Sequence, residues 1–257
     1  MFRPRVIPIL LLLHPGLVKS TGFKNHRYLG DPINAVKIFN DLKADELVFL
    51  DITATRENRL ISLDFVRNVG DEANMPFAVG GGIRSIQHIR DILNAGAEKV
   101  VINSAAFLQP DFIRRAADTF GSSTIVVCMD VKKQFLGKEM SWILNGKKST
   151  GFSPVEYAKK IEQQGAGEII VQSIERDGTM QGYDIPLIRR ISEAVTIPVI
   201  ALGGAGKTRH LEQAYSEGHA NGLAAGSMFV YHGPRNAVLI NYPDKKDLLH
   251  LFLTLNP

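Results

Sequence analysis

Val79-Gly80-Gly81-Gly82-Ile83 ends a short apolar run in three consecutive glycines, and Leu202-Gly203-Gly204-Ala205 ends another in two; Gly81-Gly82 and Gly203-Gly204 stand 122 residues apart. The same offset relates Glu46-Leu47-Val48 to Glu168-Ile169-Ile170 and Asn103-Ser104 to Ala225-Gly226. One constant spacing across three separate segments implies two halves built alike. Outward from these landmarks the chain alternates strand-length apolar runs with helix-period runs. The strands are expected at Arg5–Leu13, Glu46–Asp51, Pro76–Val79, Lys99–Ile102, Thr124–Asp130, Glu168–Ser173, Pro198–Leu202 and Asn221–Ala225. Most are too uniformly apolar to have a wet face, the pattern of parallel strands covered on both sides. Helix starts are signalled by Asp31-Pro32 before Ile33–Leu42, Ser85 before Ile86–Asn94 and Asp184 before Ile185–Val195. Eight strands alternating with helices predict a closed α/β fold, a single (β/α)8 TIM barrel with internal half-barrel duplication. One domain spans 1–257, its halves roughly 1–122 and 123–257, with a polar excursion at Lys132–Ser149 that forms a hairpin around Asn145-Gly146.

Composition narrows the function. At 257 residues, 45% hydrophobic and 22% charged, the chain is globular and outside the disordered range. The one cysteine, Cys128, cannot close an internal disulfide, which favours a reducing, cytoplasmic setting. Seven histidines without ligand spacing imply no bound metal, and nothing points to a cofactor. The net charge of +4 is scattered, unlike a nucleic-acid-binding arm. Met1-Phe2-Arg3-Pro4 before Val6–Leu13 imitates a secretion leader, but no small-x-small step follows and the run is too short to cross a bilayer, so a buried first strand is expected.

Barrel sites form where strands end. The glycines closing the third and seventh strands leave backbone N–H groups open to an anion, and Asn103-Ser104 and Ala225-Gly226 end the neighbouring strands. Two phosphate cups, one per half, would face each other across the mouth. Asp130 ends an apolar strand, where desolvation raises a carboxyl pKa toward the range useful for proton transfer; a loop-orienting carboxylate is the bland reading. At the strand starts, Arg5, Glu46, Lys99 and Glu168 are expected to pair in a ring at the barrel floor, ordinarily a structural feature.

Taken together, the segments Glu46-Leu47-Val48-Phe49-Leu50-Asp51-Ile52-Thr53-Ala54, Val79-Gly80-Gly81-Gly82-Ile83, Arg176-Asp177-Gly178-Thr179, Gly182-Tyr183-Asp184 and Gly203-Gly204-Ala205-Gly206-Lys207 resemble the cyclase subunit of imidazole glycerol phosphate synthase over nearly the whole chain. The resemblance implies a glutaminase partner on the amino-terminal face, ammonia crossing the barrel, and a phosphorylated small molecule at the other face. It matches Gly82, Asn103 and Ser104 in one half, and Asp177, Gly178, Gly204 and Gly226 in the other, to phosphate binding. Arg5, Glu46, Lys99 and Glu168 match the family's ammonia gate, and Asp130-Val131-Lys132 keeps one of its two catalytic aspartates. The other position is Leu11, a degenerate catalytic position, and no Asp or Glu occurs between Met1 and Gly30. Some relatives resembling this chain serve surface-polysaccharide amidino-sugar synthesis, supplying ammonia to an amidotransferase, a role that needs the gate and not the aspartate pair. The leading expectation is that role for this lyase-family subunit. The alternatives are the histidine-pathway cyclase, working through Asp130, and a non-catalytic scaffold that activates the glutaminase.

Overall fold

The computed structural model describes residues 3–134 and 137–253. Eight parallel strands form the barrel: β1 Arg5–Leu13, β2 Leu47–Asp51, β3 Phe77–Gly80, β4 Lys99–Ile102, β5 Ile125–Lys133, β6 Glu168–Ser173, β7 Val199–Leu202 and β8 Gly222–Ala225. Each pairs in parallel with the next, from β1 with β2 round to β7 with β8. Arg5 to Pro8 of β1 pair with Gly222 to Ala225 of β8, which closes the ring and leaves no free edge.

Every expected strand is present within a residue or two of its boundaries, except that β5 runs on to Lys133. Thr124, expected to open it, ends a short 3-10 turn instead. The three signalled helices form at Pro32–Asp41, Ile86–Asn94 and Ile185–Ser192, the last stopping three residues early. Asp31, Ser85 and Asp184 each accept a hydrogen bond from a backbone N–H of the first turn. Such a cap contributes about 1 kcal/mol.

The duplication extends to element boundaries. Pro32–Asp41 is matched by Pro154–Gln163, Phe77–Gly80 by Val199–Leu202 and Ile86–Asn94 by Thr208–Ser216, each pair 122 residues apart. Close packing repeats with it. A Cβ on Gly81 would sit 2.7 Å from the Asp51 Cβ, and one on Gly203 would sit 2.7 Å from the Ser173 carbonyl, so both strand ends need glycine.

Alternation along the strands makes two cores. Inward residues such as Ile7, Ile9, Val48, Val101, Val126, Ile170 and Ile200 fill the barrel as an apolar column. Outward residues such as Val6, Leu47, Phe49, Val100, Ile125 and Ile169 pack beneath the helices.

Two hairpins rise from the first strand of each half. The expected one follows β5: Glu139–Ile143 pairs with the end of β5 and with Lys148–Ser149, turning through Leu144, Asn145 and Gly146 at positive φ. The other, Gly16–Thr21 with Lys24–Gly30, folds back on β1 and was not anticipated. Its turns use His14 (φ 55°), Gly22 (φ 57°) and Phe23 (φ 62°), two of which are residues that seldom announce a turn. No helix of the described residues is long and apolar enough to cross a membrane.

Candidate functional site

The carboxyl ends of the strands open into a cavity of about 570 Å³, framed by both hairpins and by the glycine ends of β3 and β7. Gly82, Asn103, Ser104, Asp130, Asp177, Gly178, Gly204, Gly226 and Leu11 all line it. The charged quartet Arg5, Glu46, Lys99 and Glu168 is at the opposite end, on the starts of β1, β2, β4 and β6.

Gly82 (φ 68°) and Gly204 (φ 107°) occupy equivalent corners. A Cβ on Gly82 would lie 1.8 Å from the Arg59 carbonyl oxygen, and one on Gly204 would lie 2.2 Å from that of Gly182. Neither glycine N–H donates to a backbone carbonyl among the described residues, leaving both donors for a ligand. Beside the first corner, the Ser104 hydroxyl donates to Asn103 Oδ1 (3.1 Å) and accepts from the Leu144 N–H at the second hairpin's tip (3.1 Å). Beside the second, Ser227 carries a buried hydroxyl with no hydrogen-bond partner among the described residues.

Three buried carboxylates sit at the mouth. Asp51 accepts from Thr53 and Ala54 and pairs with Arg59 at 2.6 Å. Asp177 pairs with Lys19 at 2.9 Å and accepts from the Ser20 hydroxyl (2.8 Å) and the Phe23 N–H (3.3 Å), tying down the first hairpin. Its carboxylate is thus engaged with the hairpin, and Lys19 is the cation it brings to the mouth. A Cβ on Gly226 would sit 2.9 Å from Lys19 Cε, so glycine there makes room for that side chain. Asp130 differs from both, because it has no cationic partner among the described residues. It accepts from Asn103 Nδ2 at 3.1 Å and has the Cys128 thiol 4.0 Å away. Burial, helped by the charge of Asp177 and opposed by the Asn103 hydrogen bond, raises its carboxyl pKa to about 7. Burial and the nearby Asp130 also push the Cys128 thiol well up, so it behaves as an inert packing group.

Leu11 projects into the mouth on β1, level with Leu50 of β2, and both pack on the top of the inner column. Neither side chain can give or take a proton. Sequence reasoning missed Lys19, Ser227 and Gln172. Gln172 follows Glu168 and Ile170 in the period-2 face of β6, which was the available signal for its inward direction. Lys19 gave none, because its place depends on a hairpin docking against a residue 158 positions away.

At the floor, Arg5 pairs with Glu46 and, at 2.6 Å, with Glu168. Lys99 reaches Glu168 at 3.0 Å and Glu46 at 3.7 Å. Two cations and two carboxylates thus form a closed ring beneath the apolar column. Burial raises the Glu46 carboxyl pKa, against the pull of Arg5 and Lys99. Among the described residues no group of three His, Cys, Asp or Glu side chains could hold a metal ion.

The architecture and the cavity at its carboxyl end define a half-barrel-duplicated (β/α)8 protein with its site at the mouth. The model of the histidine biosynthesis protein family matches residues 5–234, and the chain belongs to that family. It is 43% identical over 253 residues, 98% of this chain and all of the relative, to a Leptospira interrogans protein provisionally named imidazole glycerol phosphate synthase subunit HisF. A Pseudomonas aeruginosa protein provisionally named as that synthase's subunit hisF2 is 45% identical over 96% of this chain and 99% of its own length. The imidazole glycerol phosphate synthase subunit HisF of Alkaliphilus metalliredigens is 42% identical over 97% of each. The chain is a paralogue of the cyclase subunit.

Proposed function

We propose that this chain is the ammonia-receiving synthase subunit of a glutamine-dependent assembly, and that it serves amidino-group formation on a surface-polysaccharide sugar. The observation that carries the reading is the contrast between the two ends of the barrel. The floor keeps the complete ring of Arg5, Glu46, Lys99 and Glu168, whereas the mouth has Leu11 on β1 and only Asp130 of the family's aspartate pair. An acid–base pair is needed to close an imidazole ring, and a leucine cannot transfer a proton. Delivery of ammonia needs only a docking face, a gate and a dry path.

In this mechanism a glutaminase subunit docks on the amino-terminal face and releases ammonia there. Lys99 swings from Glu168 and Glu46 to open the ring, while Arg5 keeps both carboxylates compensated. The column of Ile7, Ile9, Val48, Val101, Val126, Ile170 and Ile200 admits neutral ammonia and resists ammonium, whose desolvation is far more costly. At the mouth, Gly82 with Asn103 and Ser104, and Gly178, Gly204, Gly226 and Ser227 opposite, hold the phosphates of the small-molecule ligand. Asp177 acts through Lys19.

The test is reconstitution with the cognate glutaminase and amidotransferase. Lys99→Ala is expected to leave the barrel folded, with a stability loss of about 1–3 kcal/mol, and to change the ratio of free ammonia to nitrogen incorporated into product. An unchanged ratio in a folded variant makes the ring purely structural and removes the proposal.

A further inference from the structure

We propose that Asp130 and Gln172 together form an ammonium-binding site at the top of the barrel column, the station at which neutral ammonia arriving through the barrel takes the carboxyl proton of Asp130 and is held as ammonium against its carboxylate. The inference deepens the ammonia reading and rests on it.

Gln172 is only 4% exposed, yet among the described residues its one side-chain hydrogen bond is a 3.5 Å contact from Nε2 to the Ser173 carbonyl. A Cβ on Gly203 would stand 3.2 Å from Nε2, so the glycine leaves a slot for the NH₂ end of the amide. Gln172 lines the cavity, and with its nitrogen held against that wall and no donor to its carbonyl oxygen among the described residues, that oxygen is open to a ligand. Gln172 and Asp130 are register partners on adjacent parallel strands and both line the cavity. Asp130 Oδ2 is taken by Asn103, leaving Oδ1 with only the weak thiol donor of Cys128.

Two acceptors on neighbouring strands therefore face the same space, about 4.8 Å apart if they follow the strand spacing. A nitrogen donating to both at about 2.9 Å, with a near-tetrahedral angle between its bonds, spans about that distance. Charge points the same way. Asp51 has Arg59 and Asp177 has Lys19, but Asp130 is a buried carboxylate still lacking a cation. The Leu11 and Leu50 side chains across the column offer no hydrogen bond that competes for the same space. A small cation with directed N–H donors satisfies all three conditions.

The experiment titrates the isolated full chain with ammonium chloride at pH 8, at constant ionic strength, and follows the side-chain amide resonances of Gln172 and Asn103 in a ¹⁵N-labelled sample. Potassium chloride is the control, being a cation of similar size without N–H groups. Saturable shifts with ammonium and not with potassium are expected, and Asp130→Asn abolishes them. In Gln172→Leu, read on Asn103, the midpoint rises at least ~10-fold, about 1.4 kcal/mol, as for a lost charge-assisted hydrogen bond; Gln172→Met repeats the measurement if leucine disturbs the fold. Equal shifts with potassium, or an unchanged midpoint without Gln172, overturn the site. Because no partner is present, an intact titration alongside failed glutaminase coupling removes the assembly and leaves the site, and the converse result does the reverse.

Discussion

Replacing Asp130 with asparagine keeps the shape of a buried side chain and removes its proton equilibrium. The carboxyl is raised from an ordinary 3.8 to about 7, first by burial and then by the charge of Asp177, with the Asn103 hydrogen bond opposing. Below about pH 4 the group is protonated in both the folded and the unfolded chain, and asparagine changes no charge in either. Between pH 4 and 7 the unfolded chain ionises while the folded one holds its proton, so the wild type loses stability as pH rises; above about 7 both are ionised and the loss is complete. The gap between 3.8 and about 7 corresponds to about 4 kcal/mol at 1.4 kcal/mol per pKa step. Asp130→Asn should therefore be stabilised relative to wild type by an amount that grows from nearly nothing at pH 4 to about 4 kcal/mol at pH 8. Urea unfolding of both proteins across that range, in ammonium-free buffer, measures the difference, and any fixed offset from the amide cancels in its pH dependence. A difference that stays flat from pH 4.5 to 8 would refute the idea that Asp130 is held protonated by its surroundings.

Supplied with ammonium salts and the cyclase's bisphosphate substrate, the chain should turn over at least ~10²-fold more slowly than a family member with both aspartates, because Leu11 cannot carry a proton. A comparable rate would make the histidine-pathway cyclase the leading function. Gly82→Ala places a Cβ 1.8 Å from the Arg59 carbonyl at φ 68°, which should lower stability by about 2–4 kcal/mol in chemical denaturation; a loss under 1 kcal/mol would mean the loop around Arg59 yields easily. Phosphate soaked into crystals should appear near Gly82 and Ser104 and near Gly204 and Gly226, and density at neither corner would sink the two-cup reading.

The barrel was legible because period and spacing carry it. Runs such as Leu47–Asp51 and Glu168–Ser173 are buried on both faces and show no alternation, and the 122-residue offset reappears in helix boundaries. Asp130, Asn103 and the paired glycines were legible because they end strands, the positions a barrel brings together. The first hairpin was not, since Thr21-Gly22-Phe23 lacks the asparagine or aspartate that flagged the second. With it went Lys19 and the true engagement of Asp177, which arise from docking between distant segments. Gln172 was passed over for Ser173, the last residue of the strand. The inward face is set by alternation from Glu168, and it selects Gln172.

The different engagement of the Ser104 and Ser227 hydroxyls makes the two corners of the mouth unequal. At the corner of Gly204 and Gly226 the Ser227 hydroxyl has no partner among the described residues, so a phosphate bound there would meet a donor ready for it. At the corner of Gly82 the Ser104 hydroxyl already donates to Asn103 Oδ1, and it accepts from the Leu144 N–H of a tip anchored by Asn145 donating to the Ile52 carbonyl. If phosphates fill both corners, the second meets an open hydroxyl donor, whereas at the first the Ser104 proton must turn away from Asn103 before it can reach the ligand. A ligand with one phosphate would therefore settle at the second corner and leave Ser104 on Asn103. The mouth would then have a polarity: a molecule bound across it with two unequal charged ends would put the stronger acceptor where the hydroxyl is open.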